Sequence, residues 1–424
     1  MRKLLAIPAF VRLWVAAFFG ETAEWILQVA VPLFLFASTG SAVATGLSVA
    51  LGLLPAVLLS PVAGVVADRW NRRVVLVAVS AGQAVVVLPL LAGVGVPVAL
   101  VYAVMTGQAG LASVFEPARN ALVQELVGPG EMTGAIGLMS VNGSVARLAG
   151  GWAGGVLVGW GGLHGVVLGY LGALAIAAVL LARPFRGVGP VAAVAPEKEP
   201  VFSAWLTGLR ELTGDRRLRG TGVATVLIAI AQGMFLVLFV VFVLEVLDGN
   251  EADAGLLRGV QAIGGLGAGF AVATIARRVA PVKLLAWGSL ATGVLSALVW
   301  NLAFATTALG LYVGLFMVVG APAVVTGAGL LSHLQGGAAP ERAGRVLSTV
   351  FAVLAAGGAA GALLAGALVT VTGPAVLLDV QAGIYVLAGL VLLGAGKGRW
   401  RRSGGPEVVT VEGCRLSSPP VTSM

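Results

Sequence analysis

The sequence is poor in charge, in cysteine and in histidine. Only 10% of its 424 residues are charged, and it holds one cysteine, Cys414, and two histidines. A soluble domain carries about 25% charged residues, so the ordinary surface of a water-soluble protein is excluded. A single cysteine cannot form a disulfide within the chain. His164 and His333 lie far apart and form no metal-binding motif, so we expect no metal site.

Motifs for nucleotide binding and covalent catalysis are missing as well. No G-x-x-x-x-G-K-[ST] phosphate loop occurs, so we expect the chain to hydrolyse no ATP and to need no cofactor. No serine or cysteine lies in a recognisable nucleophile motif. We therefore expect no catalytic residue and no enzyme activity.

Apolar residues and glycine are what the chain has in excess. Hydrophobic residues make up 58% of it, there are 62 glycines, and the mean hydropathy is +1.01. A soluble fold cannot bury that much apolar surface, so the surrounding solvent is expected to be lipid. Small residues fit this class, because they let membrane helices approach closely.

Breaks at glycine, proline and charged residues divide the apolar runs into twelve segments, each about as long as the 20 residues that span a bilayer. This pattern predicts an all-α integral membrane protein with twelve transmembrane helices. The predicted spans are 11–36, 42–67, 73–93, 96–117, 133–159, 163–183, 218–246, 253–276, 281–301, 304–331, 344–371 and 376–396.

The arginines and lysines predict the orientation. With both termini in the cytoplasm, 24 of the 26 basic residues fall on the cytoplasmic side, leaving Arg258 outside and Arg147 within a helix. The net charge of +8 is then explained by topology, so we expect no nucleic-acid partner. The chain is predicted to reside in a bacterial cytoplasmic (inner) membrane.

The two halves of the chain are similar in hydropathy. TGL at the start of span 2 matches AGL at the start of span 8, 209 residues later. This repeat predicts two pseudo-symmetric six-helix bundles, 1–183 and 218–397, joined by a cytoplasmic linker, 184–217. Residues 398–424 are expected to form a disordered cytoplasmic tail. A substrate site is expected between the bundles, near the membrane midplane.

The most specific motif lies between spans 2 and 3 and reads GVVADRWNRRVVL. A short basic hairpin explains most of it, because a glycine permits close packing, an asparagine tolerates a left-handed turn, and arginines anchor at the anionic leaflet. The acidic residue is either a loop acid paired with a nearby arginine or a functional group. The candidate residues are Gly64, Asp68, Arg69, Asn71, Arg72 and Arg73.

This motif resembles the signature G-x-L-a-D-R-x-G-R-K-x-x-L of the major facilitator superfamily, with valine for leucine, Asn71 for the second glycine and Arg73 for lysine. The whole chain is similar in its spans, linker and duplicated halves. Further stretches resemble the drug:proton antiporter branch, which includes macrolide-efflux, enterobactin-export and lysophospholipid-transport proteins. They are FVRLW before span 1, AEW within it, FEPARNAL at the end of span 4 and GRV at the start of span 11.

The resemblance implies rocker-switch transport. It also implies that Asp68 pairs with cytoplasmic arginines and with the N-terminal end of span 11, and so closes the cytoplasmic side as a latch. Arg119, in the FEPARNAL stretch, is assigned to the same latch. We expect a monomer.

Span 5 carries a glycine motif. Gly150 with Gly154, and Gly151 with Gly155, form two small-xxx-small pairs that plain helix packing would explain. The run also resembles the antiporter motif G-P-x-x-G-G, with Gly151 in place of the proline. That replacement puts a proline-type bend in doubt, although glycine can also flex a helix.

A stripe of polar residues lies on one face of span 1. Glu21, Glu24 and Gln28 share that face, and both acids fall in the middle of the membrane core. Arg147 lies about 20 Å along span 5, too deep for an end anchor. Either the acids form a structural ion pair with Arg147, or they form a protonatable gate. The gate is favoured because two acids outnumber the one buried base.

Two glutamines complete the candidate cavity. Gln232 lies near the equivalent depth of span 7, and Gln108 lies midway along span 4. The expected partners are a small-molecule substrate, protons and the lipid bilayer. We expect proton-coupled efflux of a small, mostly hydrophobic compound such as an antibiotic. A siderophore exporter and a lysophospholipid flippase remain alternatives, as does a membrane sensor or scaffold that transports nothing.

Overall fold

The computed structural model describes residues 2–92, 95–127, 131–183, 216–275, 279–337 and 340–396. The helices within these ranges are α1 Arg2–Leu5, α2 Pro8–Thr39, α3 Ala42–Arg69, α4 Arg72–Val87, α5 Val98–Leu126, α6 Met132–Ala182, α7 Arg216–Val241, α8 Glu251–Ile275, α9 Pro281–Leu302, α10 Leu309–Gly337, α11 Pro340–Thr372 and α12 Pro374–Gly396. A 3₁₀ turn, Leu88–Ala92, extends α4, and a π turn, Phe242–Val246, extends α7. The expected linker, apart from its last two residues, and the expected tail lie outside the described residues.

Ten helices in the described part of the chain are long and apolar enough to cross a membrane. One of them, Gly134–Ala182, contains two spans, because its backbone leaves the helical region at Gly162 (φ 53°, ψ −146°) and Gly165 lies beside Leu157. The apolar part of α3, Ala42–Pro55, supplies the remaining crossing. The expectation of an all-helical, twelve-span fold is confirmed.

Two arginines lie at helix positions that differ from those used in the count of basic residues. Span 4 was expected to end at Pro117, but α5 continues through this proline to Leu126, so Arg119 lies inside the helix and not in a loop. Arg258 was placed outside the membrane, but it lies in the second turn of α8, about 10 Å from the helix start. Arg119 was placed beyond the helix because Pro117 was taken as the end of an apolar run. Arg258 already fell within predicted span 8, 253–276, although the count of basic residues assigned it to the outer side.

The helices pack by halves. In the N-terminal half α2 lies against the first part of α6, and α3 and α4 lie against α5. In the C-terminal half α7 packs on α11, α8 on α10 and α9 on α12. Six rings form an aromatic cluster between α7, α9 and α10, with neighbouring centroids 4.7–6.2 Å apart: Phe235, Phe239, Phe242, Trp300, Tyr312 and Phe316.

The halves meet through glycines at the end of the bundle that carries the turn at 40–41, which we call the distal end. Near this end α6 lies on α8, where a Cβ added to Gly155 would be 2.8 Å from the Cα of Gly255. Likewise α3 lies on α11, where a Cβ on Gly366 would be 2.6 Å from the carbonyl oxygen of Ala42. Backbone therefore touches backbone across this contact, which we call the distal seam.

The glycine motif of α6 uses both of its faces. A Cβ on Gly150 would be 2.6 Å from the carbonyl oxygen of Thr22, so that face packs on α2. A Cβ on Gly151 would be 3.2 Å from the Cα of Gly259, so the other face packs on α8. Gly154 repeats the first contact and Gly155 the second. The backbone of α6 stays helical at Gly151, where the related motif has proline. The residue of α6 whose backbone leaves the helical region is Gly162.

The basic hairpin is fixed within the N-terminal half. Asn71 caps α4, its Oδ1 accepting from the backbone N–H of Arg73 and Val74 at 3.1 and 3.3 Å. Its φ is −59°, so Asn71 does not use the left-handed conformation that asparagine tolerates. Arg72 forms an ion pair with Glu125 of α5, and Arg73 donates from Nε to the carbonyl oxygen of Leu181 at 2.9 Å. Gly64, Asp68 and Arg69 lie on α3, but their side chains fall outside the described part.

Candidate functional site

Two cavities meet deep in the bundle. The smaller, of about 370 Å³, is lined by α2, α3, α4, α5 and α6 and by α7 and α8 of the other half. The larger, of about 670 Å³, is lined by α2, α5, α6, α8 and α10 and reaches Met132 at the start of α6. Glu24, Trp25 and Glu116 line both cavities, so these three side chains form the junction between them.

Glu24 starts a chain of polar groups that runs into the N-terminal half. Its carboxylate accepts a hydrogen bond from the side chain of Gln83. The Gln108 Nε2 donates to the carbonyl oxygen of Gln83 at 2.7 Å, and the Tyr170 hydroxyl donates to Gln108 Oε1 at 2.9 Å. No lysine or arginine nitrogen in the described ranges lies within 4.0 Å of the Glu24 carboxylate. In the described part of the chain, Glu24 therefore contacts a neutral amide and not a cation.

Glu21 has an arginine partner, but a different one from that expected. Arg119 of α5 forms an ion pair with Glu21, and its Nη2 lies 2.9 Å from Glu116 Oε2. Of the two alternatives, the structural ion pair with Arg147 is therefore not found for Glu21, whose partner is Arg119. Arg119, assigned to the cytoplasmic latch, instead lines the larger cavity between two glutamates. Because α5 continues as a helix beyond Pro117, Arg119 lies on this helix beside Glu21 and Glu116 and not in a loop.

Arg147 lies against an aromatic ring and not against a carboxylate. Its Cζ is 5.6 Å from the centroid of Trp25, and it lines the larger cavity. Arg258, which the sequence reading did not single out, lines the smaller cavity, with its Cζ 5.9 Å from the same ring and 5.1 Å from that of Phe235. The sequence feature that could have identified Arg258 is an arginine seven residues after the start of an apolar helix.

The glutamines expected in the cavity separate into two groups. Gln28 and Gln108 line the smaller cavity. Gln232 is absent from the linings of these two cavities, and its Oε1 accepts from the Tyr385 hydroxyl at 2.9 Å within the C-terminal half. Sequence reasoning missed Gln83, whose signal was a glutamine amid the apolar run of α4.

In the described part of the chain, no three histidine, cysteine or acidic side chains lie close enough together to hold a metal ion. The acidic cluster of Glu21, Glu24 and Glu116 includes Arg119, an arrangement suited to binding and exchanging protons or to holding charged groups.

Comparison with known proteins identifies the family. The family model described as Major Facilitator Superfamily matches residues 13–362. An uncharacterized MFS-type transporter of Sinorhizobium fredii, y4rN, is 27% identical over 403 residues, which are 92% of this chain and 93% of that protein. YfiS of Bacillus subtilis, also an uncharacterized MFS-type transporter, is 27% identical over 128 residues, which span only 30% of either chain.

A solved structure agrees with this match. The crystal structure of a mutant of the nucleoside transporter NupG superposes with a TM-score of 0.75 at 14% identity and covers 91% of this chain and 99% of that one. At such identity the likeness shows the fold alone. The family model, however, spans most of the chain. The protein is therefore a multi-pass membrane protein that belongs to the Major Facilitator Superfamily and is a transporter of that type.

Proposed function

We propose that the protein is a proton-coupled exporter of small, mostly apolar compounds, that it works by alternating access, and that Glu24 carries the coupling proton. The observation that carries this proposal is the position of Glu24 at the junction of the two cavities. An ionisable side chain within a membrane-spanning helix is costly and is typical of ion pathways and substrate pathways.

The surroundings of Glu24 suit a group that gains and loses a proton. The proton affinity of a carboxylate depends on its hydration and on nearby charge, because burial favours the neutral form and a close cation favours the charged form. Glu21 and Arg119 belong to the same half, so a movement between halves leaves their pair intact. Glu24 faces space that the other half also lines, so the same movement changes its hydration.

The walls of the smaller cavity support an apolar substrate. Leu33, Leu53, Met105 and Phe239 contribute to the lining, with a few polar groups between them. A cavity that is mostly apolar with a small number of placed polar groups is the usual form of a small-molecule site. We place the protein in a bacterial inner membrane with both termini in the cytoplasm, so that the proton gradient drives the substrate outwards.

Transport by reconstituted protein tests the proposal. Proteoliposomes with an imposed pH gradient would be given a panel of small aromatic dyes without positive charge: Nile red, 1-pyrenebutanol and 8-anilino-1-naphthalenesulfonate. We expect gradient-driven movement of at least one dye, and its collapse when a protonophore removes the gradient. Counterflow without a gradient separates a transporter from a sensor or scaffold. Transport that continues unchanged with the protonophore would contradict proton coupling.

A further inference from the structure

Two arginines from opposite halves meet at one tryptophan. Arg147 on α6 and Arg258 on α8 lie 5.6 and 5.9 Å from the centroid of Trp25, measured from Cζ. Each lines a different cavity, and Trp25 lines both. The pair therefore exists only where the two halves meet, at the point where the two cavities join.

Neither arginine has a carboxylate partner in the described part of the chain. No carboxylate oxygen there lies within 4.0 Å of either guanidinium. Arg258 Nη1 donates only to the neutral Gln261 Oε1, at 3.0 Å, and the Nε of Arg147 is buried without a hydrogen-bond partner. The acids that line the two cavities contact other groups: Glu21 and Glu116 contact Arg119, and Glu24 contacts Gln83. Two cations that repel each other thus lie deep in the protein without a counter-ion.

The backbone keeps the two cations together. Gly259 follows Arg258, and a Cβ added to it would be 2.8 Å from the carbonyl oxygen of Leu148, which follows Arg147. The arginines are therefore attached to helices that touch, and they cannot separate unless the distal seam opens. Two guanidiniums on touching helices, both beside Trp25, can converge on one anionic group.

We propose that Arg147 and Arg258 together bind the anionic group of an amphipathic organic anion, whose apolar part lies against Trp25 and Phe239 in the smaller cavity. This inference rests on the proposed export function and narrows its substrate class. Guanidinium groups bind carboxylates, sulfonates and phosphates through paired hydrogen bonds. An anion held by both arginines also joins α6 to α8, so its binding stabilises the closed distal seam.

A matched pair of probes tests the anion site. 1-Pyrenebutyric acid and 1-pyrenebutanol share one aromatic body and differ in charge. Their binding to full-length protein in phosphatidylcholine nanodiscs would be followed by quenching of tryptophan fluorescence, with empty nanodiscs subtracted. We expect the acid to bind wild type at least about tenfold more tightly than the alcohol, because hydrogen bonds to charged groups contribute at least this factor.

The variants assign the effect to the two arginines. Arg147→Gln and Arg258→Gln should each weaken binding of the acid by about tenfold and leave binding of the alcohol unchanged. Arg147→Lys, which keeps the charge but loses the paired donors, should fall between. Lys283→Gln removes an exposed cation outside both cavity linings and should change neither probe.

Two results would overturn the anion site. One is equal affinity of wild type for the acid and the alcohol. This measurement uses wild type alone and does not depend on the folding of any variant. The other is a preference for the acid that survives in both glutamine variants. Because binding is measured without a proton gradient, failure here leaves the role of Glu24 untouched. Conversely, a protein that binds the acid but moves no substrate would contradict the exporter and not this site.

Discussion

Glu21 of α2 and Arg119 of α5 form an ion pair that lies wholly within the N-terminal half. Their side chains are only 13% and 9% exposed, whereas Glu116, the second partner of Arg119, is 52% exposed. The pair joins the first and fourth spans one turn from Glu24. It therefore fixes the helix on which the proposed proton carrier stands.

The ion pair gives a prediction about stability. Glu21→Gln leaves Arg119 with only the exposed Glu116 and should lower the free energy of unfolding by roughly 2–3 kcal/mol, because a buried charge loses its partner. Adding Arg119→Gln should restore part of this loss. A double-mutant cycle on thermal unfolding in detergent measures the coupling. Strictly additive effects would show that the two side chains do not stabilise each other.

Glu24→Gln should uncouple transport from the proton gradient. Glutamine resembles the protonated acid but releases no proton, so gradient-driven dye movement should be lost from pH 6 to pH 8 while counterflow remains. The readout is the ratio of gradient-driven transport to counterflow in proteoliposomes.

Glu131→Gln is the matched control, because Glu131 lies at the start of α6 outside both cavity linings. It should pump as wild type does. If Glu24→Gln and Glu21→Gln also pump at the wild-type rate across this range, neither acid is individually needed for coupling, and the acidic stripe is structural.

The distal seam should open when a side chain enters it. Gly155→Leu places a side chain against Gly255 and the backbone of Glu251, so α6 and α8 must move apart. A cysteine at Val29, in the smaller cavity, should then react about fivefold or more faster with a reagent applied from the distal side, in a Cys414→Ser background. Gly267→Leu, on α8 with open space around its Cα, is the control and should leave the rate unchanged.

The proposed latch at Asp68 remains a prediction. Asp68→Asn should favour the state that is open towards the termini by roughly 5–150-fold if the latch contributes about 1–3 kcal/mol. A cysteine at Ile136, which lines the larger cavity, would report this as faster labelling. Asp68→Glu keeps the charge and should behave more like wild type. Unchanged labelling in Asp68→Asn would mean that Asp68 forms no latch.

The orientation in the membrane can be tested by labelling intact cells. With Cys414 replaced by serine, Pro190→Cys in the expected cytoplasmic linker should react with an impermeant maleimide only after the cells are permeabilised. Ala305→Cys, in the exposed distal loop after α9, should react without permeabilisation. The reverse pattern would refute the orientation.

Hydrophobic runs predicted the spans because lipid imposes one length and one polarity on every crossing. The predicted ends agree closely with α9, Pro281–Leu302, and α12, Pro374–Gly396. The clearest error is the end of span 4. A proline inside a membrane helix can be tolerated, since neighbouring helices accommodate the lost hydrogen bond, so Pro117 does not end α5.

The site was harder to predict than the fold. Helical spacing placed Glu21, Glu24 and Gln28 on one inward face, and the latter two line the smaller cavity. Depth along a helix does not say which neighbouring helix supplies a partner. Arg147 was therefore the candidate partner in one of the two alternatives, whereas Arg119 is the partner found for Glu21. The packing of α2, α5 and α6 decides which arginine lies beside Glu21. That packing depends on glycine contacts, and the spacing of glycines in the sequence does not say which neighbouring helix each glycine contacts.

The aromatic cluster shows how far the two halves have diverged. Its six rings all belong to α7, its π turn, α9 and α10. Glu21, Glu24, Glu116 and Arg119 belong to α2 and α5. The halves, alike in outline, thus present different groups to the cavities: α2 and α5 present carboxylates, whereas α7 presents the ring of Phe239 and α8 presents Arg258. A chain made today by joining two copies of the N-terminal half should therefore fail to rebuild this transporter, although its outline would be right.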